Sequence, residues 1–258
     1  HPDGGFVYFT PIRPGHYRVY SQPDEGFWCC VGSGLENHGK YGELIYAHDA
    51  KNMYVNLFIP STVNWKEKGL QLVQETKFPL EQKTSIRVKV ENPAAFTIFL
   101  RKPSWVHGDM KVLVNGKAVA THMTSSGFAA IERTWQNDDA IEMSLPMQVS
   151  AEQLPDHSSW YSFIYGPIVL AATMDSSGLS GLRADGSRMG HVAAGPLVPM
   201  YEAPLIVSAV DQLPAAIKPV KGKPLHFSAS SVTYPSKFKD LQLKPFYQVH
   251  DARYMLYW

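Results

Sequence analysis

Two adjacent thiols, Cys29 and Cys30, stand in the run Phe27-Trp28-Cys29-Cys30-Val31-Gly32-Ser33-Gly34. Thiolates are nucleophiles and soft metal ligands, and the partial positive charge of a helix N-terminus lowers the pKa of a thiol beside it. A helix is expected just after the pair, because Ser33 and Glu36 have capping-box spacing and Gly42 offers a stop after Tyr41. Either sulfur could then attack an electrophilic carbon or bind zinc; equally, both could be small apolar side chains in a core. Adjacent cysteines bridge each other only through a strained ring, and two in so long a chain are too few for a disulfide scaffold.

Weaker candidates surround the pair. His38 and His48 are near enough to be ligands, but a closed zinc site needs four donors, and no Cys-x-x-Cys or His-Glu-x-x-His spacing is present. Any further ligands are expected upstream of His1. Glu36 and Glu43 could be paired for acid/base work, although Glu36 is better explained as the capping-box partner. Gly32-Ser33-Gly34 lacks the length and lysine of a phosphate loop.

The elements that must position the thiols read mainly as β. The chain has 258 residues, 45% hydrophobic and 12% aromatic, with 19 Gly and 19 Pro, a balance that suits short strands and tight turns. Ile86, Val88 and Val90 alternate with Arg87, Lys89 and Glu91, and the same period recurs at Phe96, Ile98, Leu100 and at Ile141, Met143, Leu145. Asn115-Gly116 between Val112 and Val119 is a hairpin signal, so this region is expected to be antiparallel. Trp160 to Ala172, interrupted by Gly166-Pro167, reads as a buried strand pair, residues 175–199 as a long surface loop, and Arg253 to Trp258 as an aromatic terminal strand.

Charged residues are 18% of the chain and the formal net charge is +1, so no field gathers a polyanion and no nucleic acid is expected as partner. No apolar run approaches the roughly 20 residues that span a bilayer, and no membrane association is expected. Neutral partners fit better.

The run from Phe27 to His38, followed by Lys40-Tyr41-Gly42-Glu43 and Ile45-Tyr46, closely resembles the β-L-arabinofuranosidase group of glycoside hydrolases, families 127 and 146. The resemblance continues through Leu100-Arg101-Lys102-Pro103-Ser104-Trp105, Val114-Asn115-Gly116-Lys117, Tyr165-Gly166-Pro167 and Pro245-Phe246-Tyr247. It implies two jelly-roll-like β-sandwich domains preceded by the tail of an (α/α)6 catalytic barrel. The expected division is 1–45 for the barrel remnant, 46–150 for the first sandwich and 151–258 for the second, whose last strand could return to the first.

The resemblance also implies that Cys29 is both nucleophile and zinc ligand and that Cys30 is a further zinc ligand. The remaining ligands and the acid/base glutamate would belong to a preceding segment. The implied reaction is retaining hydrolysis of L-arabinofuranosides in arabinose-containing plant-type glycans, in a periplasmic or secreted enzyme whose own N-terminal barrel is the main partner. These residues alone are then expected to be inactive. A carbohydrate-binding or structural β-module with vestigial cysteines is the alternative.

Overall fold

Period-two alternation becomes strand wherever one face of the chain has a core to cover. In the computed structural model, which describes residues 1–187 and 189–258, Thr84, Ile86, Val88 and Val90 of one strand are buried while Lys83 and Arg87 are exposed. The residues group into two compact units, 39–147 and 1–38 with 148–258.

The 39–147 unit is a β-sandwich. One sheet runs in the order β1 (Tyr46–His48), β2 (Asn52–Val55), β6 (Ala94–Arg101), β10 (Phe128–Trp135), β9 (His122–Met123). The other runs β3 (Ser61–Trp65), β4 (Leu70–Thr76), β5 (Lys83–Val90), β11 (Ala140–Ser144), β7 (Val112–Val114), β8 (Lys117–Ala118). Their inner faces share one core that includes Met53, Leu72, Ile86, Ile98, Leu100 and Ile141. Trp135 is fully buried there, and its indole N–H donates to the Phe96 carbonyl at 3.0 Å.

Asn115 and Gly116 have φ of 51° and 74° and turn β7 into β8, as their residue types require. The purely antiparallel expectation needs one correction. β2 pairs with β6 in parallel, because β3, β4 and β5 lie in the opposite sheet and the chain returns beside β2 running the same way.

The other unit is built on a seven-stranded sheet. β12 (Val149–Gln153), β13 (Tyr161–Tyr165) and β14 (Ile168–Thr173) lie side by side, followed by Gln242–Pro245, Phe227–Ser228 and Lys218–Pro219. Gly166, at φ 57°, and Pro167 turn β13 into β14, with glycine at the first central position of the two-residue loop. From Leu170 to Ala172 β14 is covered on both faces, which suits an apolar run: Leu170 and Ala172 pack with Phe163, Phe227 and Trp258, while Ala171 packs with Val249, Tyr254 and Leu256; Val169 is exposed.

The terminal strand Tyr254–Met255 pairs with β14 in its own sheet, not with the first sandwich. Residues 1–38 are hydrogen-bonded to the second domain, with which they form one unit. Gly15 N–H donates to the Tyr254 carbonyl at 2.9 Å, Tyr254 N–H to that of His16 at 3.0 Å, and Tyr20 N–H to that of Leu182 at 3.0 Å.

Helix α1 runs Cys29–Ile45, so it starts four residues before Ser33 and ends four residues after Tyr41, the bounds the capping-box reading placed. Val31 and Gly32 N–H groups both donate to the Trp28 carbonyl, at 2.9 and 3.4 Å, so the first turn forms around the cysteines themselves. Ser33, Glu36 and Gly42 are therefore interior helix positions, and the capping box does not form. Four glycines, at 32, 34, 39 and 42, cost this helix roughly 1 kcal/mol each relative to alanine, so packing must hold it. Gly34 shows how: a Cβ there would come within 2.5 Å of the Phe6 ring.

Candidate active site around Cys29 and Cys30

The helix start places Cys29 and Cys30 in its first turn, with the backbone amide ends behind them. Both thiols are free; Cys29 is exposed and Cys30 half-buried. Their sulfurs are 4.0 Å apart. Two thiolates on one tetrahedral zinc, each at about 2.3 Å, would be about 3.8 Å apart, so the pair fits two corners of such a site with little movement. Among the described residues no third histidine, cysteine or carboxylate joins them as a metal cluster.

One electrostatic expectation is corrected. The Cys30 thiol lies above its ordinary pKa, pushed up by loss of water around it and then by the neighbouring Cys29, rather than below it at the helix start. Two adjacent thiols resist ionising together unless a cation is supplied.

The other sequence candidates do not converge on the pair. His38 lies on the exposed side of α1, with Nδ1 2.6 Å from the Gly34 carbonyl and its ring edge-on to Phe6. His48 is in the 39–147 unit, its ring 5.1 Å from that of Trp65. Glu43 forms an exposed ion pair with Lys40 at 3.1 Å. Glu36 is an exposed helix residue.

The structure adds residues that the sequence reading did not assign. The Tyr8 phenol lies against Cys29 and is pushed above its ordinary pKa, chiefly by the charge Cys29 carries when ionised, with a hydrogen bond to Cys29 and the charge of Cys30 adding to it. Tyr8 packs edge-on against Trp28 at 6.2 Å, and His191 packs against both, at 4.5 Å from Tyr8 and 4.9 Å from Trp28. Tyr8 stands in a stretch dense in aromatics, beside Phe6 and Phe9. His191 carried no signal, because it lies more than 150 residues away in a segment that reads as plain loop.

The comparisons with known proteins divide the chain in three. Residues 1–43 match the β-L-arabinofuranosidase GH127 catalytic-domain family, residues 52–147 the β-L-arabinofuranosidase GH127 middle-domain family, and residues 150–258 a domain of unknown function, DUF4986. No curated protein matches. Among solved structures, a protein described as a glycoside hydrolase aligns with TM-score 0.67 at 20% identity, covering 98% of this chain and 44% of its own. A GH127 β-arabinofuranosidase aligns with TM-score 0.64 at 19% identity over 98% of this chain and 42% of its own. A GH127 β-L-arabinofuranosidase from Geobacillus stearothermophilus T6 gives 0.60 at 19% identity over 94% and 39%.

At those identities the solved structures establish the mainly β fold, and this chain spans less than half the length of each. With a GH127 catalytic-domain segment that carries both cysteines, followed directly by a GH127 middle domain, the chain belongs to the GH127 β-L-arabinofuranosidase family of glycoside hydrolases.

Proposed function

We propose that the chain is the C-terminal part of a zinc-dependent retaining glycosidase that releases L-arabinofuranose from arabinose-containing glycans, with Cys29 as nucleophile. Cys29 and Cys30 would both hold the metal. The observation that carries this reading is the pair of free thiols 4.0 Å apart in the first turn of α1, inside the segment that matches the GH127 catalytic domain. Bound zinc would supply the positive charge that keeps both sulfurs ionised near neutral pH. The elevated Cys30 pKa supports that need: without a cation, burial and the neighbouring sulfur work against the second charge.

The chemistry assigned to this chain is nucleophilic. The Cys29 thiolate forms a bond to the anomeric carbon as the glycosidic C–O bond breaks, and the departing oxygen takes a proton from a carboxylic acid. Water then attacks the same carbon, the C–S bond breaks, the thiolate is regenerated, and the water proton returns to the carboxylate. That acid, and the ligands that complete the zinc site, are assigned to the part of the catalytic domain outside residues 1–43. The 258 residues alone are accordingly proposed to be inactive. A plant-glycan substrate and an export route to the periplasm or medium fit the same proposal.

The binding-module alternative gains nothing from the cleft of about 550 Å³ in the first sandwich, whose lining is charged, with Glu75, Lys77, Glu81, Lys83 and Glu142. The test is hydrolysis of an aryl β-L-arabinofuranoside by the full-length protein and its Cys29→Ser variant, with bound zinc measured in both. Zinc in the wild type and a turnover loss in the variant of about a thousandfold or more support the reading. Undiminished turnover by Cys29→Ser overturns it.

A further inference from the structure

Residues 175–199 read as a free surface loop, but the structure pins the segment at both ends and gives it a small core. The Arg253 guanidinium, 2% exposed, donates to the carbonyls of Ser177 at 2.9 Å, Gly178 at 3.2 Å, Pro196 at 2.7 Å and Gly15 at 2.7 Å. The Tyr17 hydroxyl donates to the Ser180 carbonyl at 2.9 Å and accepts from the Gly195 N–H at 2.6 Å. Ala184 N–H donates to the Tyr20 carbonyl at 2.7 Å, and Leu182, Ala184 and Ala193 pack with Tyr17, Val19 and Trp28. These contacts fix described residues on both sides of His191 to the rest of the domain.

The segment carries His191. The imidazole lies 4.5 Å from the Tyr8 ring, 5.2 Å from Phe9 and 4.9 Å from Trp28. Tyr8 and Trp28 are the aromatic neighbours of Cys29: the Tyr8 phenol interacts with the thiol, and Trp28 precedes it in the chain and supplies the carbonyl that opens α1. We infer that His191 is a positioning residue of the thiol site, and that through it the 177–196 arch of the domain of unknown function forms one wall beside Cys29. Aromatic walls suit the apolar face of a sugar ring. That ligand rests on the glycosidase reading; the wall itself does not.

His191 Nδ1 is shielded from water and has no hydrogen-bond partner among the described residues. A Phe at 191 would keep the ring contacts and remove that unpaired nitrogen, so His191→Phe is a clean companion to His191→Ala. The full-length protein, as purified and with metal content matched between variants, is treated with iodoacetamide under native conditions. Modification of Cys29 is followed by mass spectrometry. Leu243→Val, in the core of the same domain and 1% exposed in the native protein, controls for general loosening.

His191→Ala is expected to raise the Cys29 rate about threefold or more, with His191→Phe within about a factor of 1.5 of wild type and Leu243→Val unchanged. An unchanged rate in His191→Ala overturns the inference, as does an equal rise in Leu243→Val. A rise in His191→Phe as large as in His191→Ala overturns positioning by packing. Arabinofuranoside hydrolysis on the same preparations separates the two proposals: an inactive wild type sinks the glycosidase reading and leaves the alkylation result standing.

Discussion

Replacing Arg253 by Ala removes a buried cation that closes four backbone carbonyls at 2.7 to 3.2 Å and ties residues 15, 177, 178 and 196 together. Hydrogen bonds to charged groups contribute about 1.5–3 kcal/mol each, but they are not additive around one guanidinium, and their loss is partly relieved when water enters. Breaking a buried charged cluster by removing one partner typically costs about 3–5 kcal/mol, and that is the magnitude expected here. In a unit of roughly 150 residues this lowers Tm by about 6–20 °C. Arg253→Lys keeps the charge but presents three donors from one point instead of a planar fork, so it should recover about half of the loss. Urea unfolding followed by circular dichroism gives the free energy, and limited proteolysis reports whether cleavage begins within 177–196. A loss below about 1 kcal/mol in Arg253→Ala, or a proteolytic pattern identical to wild type, would refute the view that this side chain fastens the arch.

Two glycines of α1 should respond in opposite directions. Gly39→Ala meets no atom within 4 Å and should stabilise by about 0.5–1 kcal/mol, whereas Gly34→Ala drives a methyl into the Phe6 ring and should destabilise by about 1–3 kcal/mol; thermal unfolding checks both. His16 has its pKa lowered by burial, then by Arg253 and Arg13, and its Nδ1 accepts the Tyr17 N–H at 3.0 Å, so the folded state prefers it neutral. His250 is lowered likewise, by burial and then Arg18. The unfolded chain, with histidine near pH 6.5, therefore binds more protons, and stability present above about pH 6.5 is lost as pH falls below it. Urea midpoints at pH 7.5 and about 5.5 should show this drop, and His16→Gln should shrink it; a midpoint that rises toward acid contradicts the assignment.

Much of the architecture was legible because its causes are local. The alternation of Ile86, Val88 and Val90 with charged neighbours is enough to make one wet and one dry face, and Asn115-Gly116 is enough to make a two-residue turn. The helix boundary was not legible. Ser33 and Glu36 offered a local start, but the Trp28 carbonyl accepts two amides and the Phe6 ring fits against Gly34, so packing begins the helix at Cys29. The parallel β2–β6 pair was likewise hidden, because strand direction depends on which sheet the intervening strands join.

Residue identity by itself narrowed the chemistry open to the site. Two neighbouring thiols could be a nucleophile, a soft-metal site or small apolar core residues, and the motif around them marks the family. Tertiary structure alone decided the surroundings of those thiols. It set their 4.0 Å separation, brought the Tyr8 phenol to Cys29, and delivered His191 from more than 150 residues along the chain, in a segment fastened by Arg253. The physical reason is range: turn chemistry and side-chain alternation act between neighbours in sequence, whereas a wall built from residues 8, 28 and 191 exists only after burial and hydrogen bonding have joined the two ends of the chain.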